Sequence, residues 1–319
     1  MSTTVTEPDA QALHTKPSIA GKVFAGVSSG AGILILVVLG AVGGFLVLRA
    51  WPAISAPAED IAYYLGNADN LAGYILPLIF GTVLASALAL AISVPVSIGI
   101  ALFISHWAPR KLAQTLGYLI DLLAAIPSVV YGLWGALWLL PVVDPAMVWL
   151  TDTLGFIPLF ADYQPPAKNV LSAGIVLAVM ILPIITAVSR EVFLQTPRLH
   201  EEASLALGAT RWEMVRMAVL PFGRSGVISA AMLGLGRALG ETMAVLMVIS
   251  PGATFSFFLL KPGQHQTIAA DIASKFPESS GLGVNVLVAS GLALFVITFA
   301  VNFLARSIVN RRKDFSGAN

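Results

Sequence analysis

The sequence contains no cysteine and few charged residues. Asp, Glu, Lys and Arg together make up 11% of its 319 residues. The absence of cysteine excludes disulfide frameworks and thiolate sites for metals or redox chemistry. Soluble domains carry about 25% charged residues, so the shortage of charge argues against a soluble fold. The formal net charge of only +1 argues against a nucleic acid as a partner.

Hydrophobic residues are abundant instead, at 57% with a mean hydropathy of +0.86. A bilayer core about 30 Å thick is crossed by about 20 apolar residues in a helix. Uncharged runs of this length or more lie at 23–48, 70–105, 122–143, 169–189 and 279–305. A sixth apolar stretch, from Arg224 to Lys261, carries charges in its middle. The pattern predicts an all-α membrane protein with six transmembrane helices and the lipid bilayer as its surroundings.

The same pattern divides the chain into segments. We expect a disordered tail at 1–20, helix 1 at 21–49, an external segment at 50–73, a core of helices 2–6 at 74–310, and a second tail at 311–319. Helix 1 is longer than the apolar part of a signal peptide, so we expect it to remain as a membrane anchor. Helix 3 is expected at about Leu116–Leu140. The Pro- and aromatic-rich segment 141–168 after it is predicted to lie in the membrane interface, with a gate or docking surface as the alternative.

The distribution of basic residues predicts the orientation. Short cytoplasmic loops hold an excess of Lys and Arg. If the N-terminus is inside, most of the 18 Lys and Arg residues fall in cytoplasmic segments. We therefore expect both termini of this multi-pass protein to be cytoplasmic.

The longest cytoplasmic segment between helices, at 190–224, has an amphipathic pattern. We expect Gly208 to divide it into two short helices between helices 4 and 5. The stretch EASLALGATRWEMVRMAVLP resembles the EAA loop of ABC importer permeases, which forms a coupling helix in a cleft of the partner ATPase. The matching residues are Glu202, Ala203, Gly208, Leu220 and Pro221. An interfacial helix lying on the membrane is the alternative.

No G-x-x-x-x-G-K-[ST] phosphate loop occurs in the sequence. We therefore expect ATP hydrolysis to belong to a partner, and the chain itself not to be an enzyme and to bind no cofactor. No metal site is expected either, because the four histidines are scattered without metal-ligand spacing.

Arg237 and Glu241 are the charges inside the sixth apolar stretch, in GLGRALGETMAVLMV. Their spacing predicts that they share one face of a helix. A charge in mid-bilayer costs about 2.5–3.5 kcal/mol, so both are expected to face a cavity or the protein interior. Arginine binds tetrahedral oxyanions with two parallel hydrogen bonds. Glu241 would hold Arg237 in place, or accept the proton of hydrogen phosphate, which sulfate lacks. A salt bridge that only locks helix packing is the alternative.

Four further residues in helices 3 and 5 are candidates for bending or close packing of helices: Pro127, Gly132, Gly236 and Gly240. Ordinary small-residue packing would explain each of them equally well.

Three further stretches carry a more specific resemblance. GTVLASALALAISVPVSIGIALFIS (81–105), DLLAAIPSVVYGLWG (121–135) and GRALGETMAV (236–245), together with the EAA loop, are similar to permeases of the phosphate-specific ABC importer, and to its C-type rather than its A-type subunit. The resemblance covers about residues 70–310. In that family the Arg and Glu of the helix 5 motif are implicated in transport, and they fall on Arg237 and Glu241.

The resemblance implies a type I ABC importer permease fold and import of phosphate across the bacterial cytoplasmic membrane by alternating access. It also implies the partners: a homologous A-type permease, two copies of an ATP-binding subunit that uses ATP and Mg²⁺, and an extracytoplasmic phosphate-binding protein. An ABC permease for sulfate or molybdate is the first alternative. A secondary ion-coupled transporter would need inverted repeats, which the sequence does not show. A purely structural membrane subunit leaves the buried charges unexplained.

Overall fold

The computed structural model describes residues 19–310, and within them it contains helices and no β-strand. This confirms the all-α prediction. Most of the tail predicted at 1–20 and all of that at 311–319 lie outside the described residues. The chain divides into two compact units, residues 1–45 and 46–319.

The described part of the first unit belongs to one long helix, α1 (Ile19–Ser55), which continues into the second unit. Its 37 residues exceed the predicted length of 21–49. At 1.5 Å per residue it is about 55 Å long, more than the thickness of the hydrocarbon core. The helix therefore extends beyond the apolar layer at one or both ends.

Up to residue 310, where the described residues end, the second unit contains twelve further α-helices. They are α2 (Ala58–Leu65), α3 (Leu71–Leu102), α4 (Arg110–Ala124), α5 (Ser128–Trp134), α6 (Leu140–Leu154), α7 (Val170–Leu194), α8 (Arg198–Ala206), α9 (Arg211–Met214), α10 (Leu220–Leu239), α11 (Met243–Val248), α12 (Ile268–Lys275) and α13 (Leu282–Asn310). Short π-helical stretches at Phe103–Trp107, Gly135–Leu139 and Val215–Val219 extend or join some of them.

Six helical stretches in the described residues are long and apolar enough to cross a membrane, as the sequence predicted. They are Val23–Ser55, Leu71–Trp107, Ser128–Leu154, Val170–Leu194, Arg211–Leu239 and Leu282–Leu304.

Helix α7 lies at the centre of the second unit. Its side chains are apolar on most sides, which is typical of a helix surrounded by protein. Val176, Leu177 and Ile181 are completely buried. Small residues allow α3 to approach closely, since a Cβ atom at Gly174 would lie 2.8 Å from the Cβ of Leu88. The α3–α7 pair is therefore the scaffold on which the other helices pack.

The third span differs from the single helix expected at Leu116–Leu140. The helix is interrupted between α4 and α5, where Pro127 precedes the first residue of α5. Proline lacks an N–H group and disfavours helical backbone in the residue before it, which explains the interruption. Helical structure then continues to Leu154, so the expected external segment 141–168 is irregular only in its second half.

Two close approaches show that α4 and the end of α5 both pack against α7. A Cβ atom at Gly117 would lie 2.0 Å from the Nη1 of Arg190, near the end of α7. A Cβ atom at Gly135 would lie 2.7 Å from the Cγ2 of Val176, near its beginning. The chain from α4 through α5 thus runs antiparallel to α7 despite the interruption.

Gly132 tests a second close contact, the packing of α5 against α11. A Cβ atom there would lie 2.8 Å from the Cα of Ala244, a backbone atom that cannot move aside alone. We expect Gly132→Ala to lower the free energy of unfolding by about 1–3 kcal/mol, as overpacking does. The measurement is thermal unfolding of the purified chain in detergent. Gly236→Ala is the matched control, because a Cβ atom there meets nothing within 4 Å. Equal stability of the two variants would contradict the close packing of α5 and α11.

Candidate transport site and coupling surface

Arg237 lies in the last turn of α10, which ends at Leu239. The side chain is half-buried. Within residues 19–310 its guanidinium makes no ion pair and no hydrogen bond. The structure therefore holds a cation in a membrane-spanning helix with its donors unused.

Glu241 does not share a helix face with Arg237, which corrects the predicted i, i+4 arrangement. The chain leaves the helix at 240–242 and resumes it at Met243. Gly240 favours this break because glycine costs more free energy in a helix than alanine does. Glu241 is 8% exposed, and its Oε1 accepts a hydrogen bond of 3.1 Å from the N–H of Ala244. The carboxylate thus caps α11, and in the described residues it forms no ion pair with Arg237.

Exposed residues lie next to Arg237 along α10 and α11. Leu233 and Met243 are exposed by 57% and 41%. Gly236 and Gly240 are also exposed, and Gly236 packs against no neighbouring helix. On α5, which contacts α11 through Gly132, the apolar residues Val130 and Leu133 are exposed as well. Arg237 therefore lies beside apolar and small residues that the other described residues leave exposed.

The loop expected to carry the coupling helix folds into two short helices, as predicted. Helix α8 ends at Ala206 and α9 begins at Arg211. Gly208 lies between them with φ = +87°, a backbone conformation that favours glycine. Thr210 and Glu213 form a capping box that starts α9.

The five residues matched to the EAA loop do not share one surface. Glu202, Ala203 and Gly208 are exposed on α8 and the turn after it. Leu220 and Pro221 begin α10, where Leu220 packs against a core cluster that includes Phe193 and Val219. Glu202, Ala203 and Gly208 thus form the exposed part of the motif, and Leu220 anchors its other end.

Large apolar side chains accompany the exposed part. Leu207 is 90% exposed and Leu199 is 73% exposed. A shallow groove beside them is lined by Ala203, Ser204, Leu207, Gly208, Ala209, Glu213 and Met217. Exposed apolar groups beside a groove are typical of a protein docking site. We name this set, from Leu199 to Gly208, the coupling surface.

Two contacts join the loop to the end of the second span, and sequence reasoning missed both. The Nε2 of His106 lies 3.5 Å from the Oε1 of Glu201. The rings of Trp107 and Trp212 have centroids 6.4 Å apart. The partners are about a hundred residues apart in the sequence, so no local pattern reveals them. The coupling surface is thus attached to the second span as well as to α10.

On the other side of the helices, two irregular segments are joined to each other. Lys261 pairs with Asp162 at 2.9 Å. The N–H of Leu259 donates to the carbonyl of Leu159 at 2.9 Å. Asn169, 2% exposed, caps α7 and donates through Nδ2 to the carbonyl of Leu260 at 3.0 Å. Segments 158–169 and 250–266 therefore form one layer, which we name the external layer after the position that the sequence predicts for segment 141–168.

Further polar contacts fix this layer. Tyr163 donates a hydrogen bond to Asp144. Burial of the Tyr163 phenol is the main cause that raises its pKa, and this hydrogen bond raises it further. The Nε2 of His265 donates to the carbonyl of Ser256 at 2.6 Å. Burial lowers the pKa of His265 below its usual value, although the hydrogen bond to Ser256 opposes this effect. The sequence contains no signal for these contacts.

A third network ties α12 to the start of α3. Asp271, 4% exposed, accepts a hydrogen bond from Tyr74 and pairs with Lys275 at 2.8 Å. The Nζ of Lys275 also lies 4.6 Å from the centroid of the Tyr74 ring. The i, i+4 spacing of Asp271 and Lys275 was readable from the sequence, but the tyrosine was not.

The fold and the sequence together define the class of protein. The family described as "Binding-protein-dependent transport system inner membrane component" matches residues 93–314. The chain belongs to this family, whose members are inner membrane components of binding-protein-dependent transport systems.

Within that class, two similar proteins are phosphate permeases by name. It is 43% identical over 313 residues to the phosphate transport system permease protein PstC 2 of Mycobacterium tuberculosis, covering 95% of this chain and 96% of the relative. It is 45% identical over 276 residues to the phosphate transport system permease protein PstC of Mycobacterium leprae, covering 84% and 86%.

Solved structures support the fold. A bacterial alginate ABC transporter bound to a periplasmic protein carrying an alginate pentasaccharide aligns with a TM-score of 0.62 at 15% identity, covering 91% of this chain and 94% of that one. The MetNI methionine ABC transporter in an inward-facing conformation aligns with a TM-score of 0.52 at 17% identity, covering 80% and 99%. The chain thus has the type I ABC importer permease fold predicted from its sequence.

Proposed function

We propose that this chain is the C-type permease subunit of an ATP-driven importer for inorganic phosphate. The observation that carries the proposal is the unpaired, half-buried guanidinium of Arg237 at the end of a membrane-spanning helix. A cation without a partner in such a place is costly unless it meets a ligand. The two relatives described above are phosphate permeases by name, which agrees with an oxyanion as that ligand.

The pathway would form between this chain and a homologous A-type permease. The exposed apolar residues and glycines beside Arg237 provide a face for that second subunit. Phosphate would bind to Arg237 by two charge-assisted hydrogen bonds during alternating access. Because Glu241 already caps α11, its second role would be to accept the proton of hydrogen phosphate, which distinguishes phosphate from sulfate.

Energy would enter through the coupling surface. We propose that two copies of an ATP-binding subunit, which use ATP and Mg²⁺, dock there from the cytoplasm, with both termini of this chain on the same side. A rigid pair of short helices, attached to the second span and to α10, would transmit their closure to the spans. The external layer would receive an extracytoplasmic phosphate-binding protein. This chain binds no cofactor in the proposal.

The substrate is tested by uptake into liposomes that contain the complete complex and enclose ATP and Mg²⁺. We expect ATP-dependent accumulation of radiolabelled phosphate that a tenfold excess of sulfate or molybdate does not reduce. The buried Glu241 carboxylate supports this expectation, since it would accept a hydrogen bond from the O–H group of hydrogen phosphate, a donor that sulfate lacks.

Liposomes without the phosphate-binding protein, and liposomes without ATP, are the controls. Strong inhibition of phosphate uptake by sulfate would indicate that the complex transports another oxyanion. Uptake driven by an ion gradient in the absence of ATP would indicate a secondary transporter.

A further inference from the structure

The ring of His106 connects the end of the second span to helix α8. It lies in the π-helical stretch Phe103–Trp107, and its Nε2 is 3.5 Å from the Oε1 of Glu201 on α8. The two side chains are 9% and 24% exposed, so solvent screens their interaction less than that of a surface pair. Within α8, Glu201 and Ser204 are half-buried and the other residues are exposed. Glu201 therefore lies on the face of α8 that meets the rest of the chain.

The other ring nitrogen of His106 has a partner as well. Its Nδ1 lies 2.6 Å from the Oγ of Ser105. The Ser105 hydroxyl donates its single proton to the carbonyls of Ala101 and Leu102, at 2.8 and 3.2 Å. Nδ1 must then carry a proton, because two facing lone pairs would repel each other. A neutral ring in this form would turn the lone pair of Nε2 toward the carboxylate of Glu201. Only the imidazolium, protonated on both nitrogens, satisfies all these contacts.

A second neutral form of the ring carries its proton on Nε2. This form requires the Ser105 hydroxyl to donate to Nδ1, which removes its hydrogen bond to the Ala101 carbonyl. It also lacks the charge that attracts the carboxylate of Glu201 across 3.5 Å. Protonation of His106 thus adds a hydrogen bond at the end of the second span and an ion pair to α8.

Other charged groups near His106 are less favourably placed. The π-helical stretch packs against α4 and α7, and Glu201 reaches it from α8. Among the described residues, Glu201 is the one carboxylate within ion-pair distance of His106. Arg190 is half-buried, and its guanidinium lies against Gly117. The other titratable groups at the adjoining ends of these helices are exposed and screened by solvent: Arg110, Lys111, Glu191, Arg198, His200 and Glu202.

We propose that the charged form of His106 holds α8 to the second span, and that coupling of ATP hydrolysis to import weakens when this ring loses its proton. The charge of a histidine changes between about pH 5 and pH 8. The His106–Glu201 pair is thus formed at the acidic end of this range and is lost as the pH rises. An alkaline cytoplasm would then lower the amount of phosphate imported per ATP.

His106 acts here as a positioning residue. A held α8 would pass the closure of the ATP-binding subunits to the second span, whereas a released α8 would move without it. The inference rests on the proposed function, because it assigns a regulation to the coupling surface.

The position of α8 can be measured in the full chain without transport. The sequence contains no cysteine, so Phe103→Cys and Leu205→Cys provide two defined sites for spin labels. Both side chains are exposed, by 46% and 42%. In nanodiscs, electron paramagnetic resonance should give a narrow distance distribution at about pH 6 and a broad one at about pH 8. The distribution should be broad at both pH values in His106→Gln, and narrow at both in His106→Arg, which stays charged.

Coupling is measured with the complete complex in liposomes that enclose ATP and Mg²⁺ in buffers of different pH. The ratio of phosphate imported to ATP hydrolysed corrects for the pH dependence of the ATPase itself. We expect this ratio to fall about threefold from about pH 6 to about pH 8, as the loss of one ion pair predicts. His106→Gln should have the low ratio at both pH values, and His106→Arg the high ratio. His200→Gln removes an exposed histidine from α8 and is the matched control, with the pH dependence of the wild type.

Three results would overturn the inference. They are label distances that do not change with pH, a coupling ratio whose pH dependence persists in His106→Gln, and a His106→Arg variant that behaves like His106→Gln. Failure of the proposed function is a different result. If wild-type liposomes import no phosphate, the substrate assignment is wrong, and the label distances alone decide whether the charge of His106 holds α8.

Discussion

Replacing Arg237 by glutamine is expected to reduce phosphate uptake by about a hundredfold or more while the complex still assembles. Hydrogen bonds to charged groups are worth about 1.5–3 kcal/mol each, and the variant loses the cation and its paired geometry together. Assembly should survive, because Arg237 makes no ion pair or hydrogen bond with the described residues of its own chain. The measurement is ATP-dependent uptake of radiolabelled phosphate by reconstituted complexes of equal subunit content.

Two controls make this result specific. Arg224→Gln removes an exposed cation from the same helix, thirteen residues earlier, and should leave uptake nearly unchanged. Arg237→Lys keeps the charge but not the fork of donors, so its uptake should lie between those of the wild type and the glutamine variant. Normal uptake by Arg237→Gln would reduce this residue to a role in packing.

Replacing Leu207 by aspartate is expected to release the ATP-binding subunits and stop uptake. Leu207 is 90% exposed, so the chain itself should lose little stability. A charge placed in an apolar contact is costly, and a central apolar contact is worth about 2 kcal/mol or more, which corresponds to at least about thirtyfold weaker binding. The measurement is the affinity of the purified ATP-binding subunit for permease complexes in nanodiscs, together with its ATPase rate.

Phe276→Asp is the matched control for this variant. Phe276 is an exposed apolar residue, 56% accessible, that follows α12 near the external layer. Its replacement should leave ATPase binding unchanged. If the Leu207→Asp variant binds the ATP-binding subunit normally, the subunit docks at other residues. The alternative, an interfacial helix that lies on the membrane, would then be favoured.

The sequence predicted the helical class, the number of spans and the division of the coupling loop at Gly208. These features follow from local information: apolar runs long enough to cross a bilayer and a glycine in an amphipathic stretch. Span 3 was only partly predicted. Pro127 indicated a bend, but the continuation of helix to Leu154 depends on packing around Met147, which is buried beside the N-terminus of α7.

The candidate transport site was predicted in composition but not in geometry. The spacing of Arg237 and Glu241 implied a shared helix face, whereas the break at 240–242 turns Glu241 into the cap of α11. A helical wheel assumes that the helix continues, and here a glycine and a competing side-chain hydrogen bond end it. The pairing of His106 with Glu201 could not be predicted, because it joins distant parts of the chain.

The external layer has a consequence for the evolution of loop length. Segments 158–169 and 250–266 are joined by two backbone hydrogen bonds, from Leu259 to Leu159 and from Ser250 to Lys168, and the buried Asn169 binds the carbonyl of Leu260. An inserted residue in either segment would shift every pairing beyond it. Surface loops usually tolerate insertions and deletions, but these two should keep their lengths together, so that a change in one survives only with a compensating change in the other.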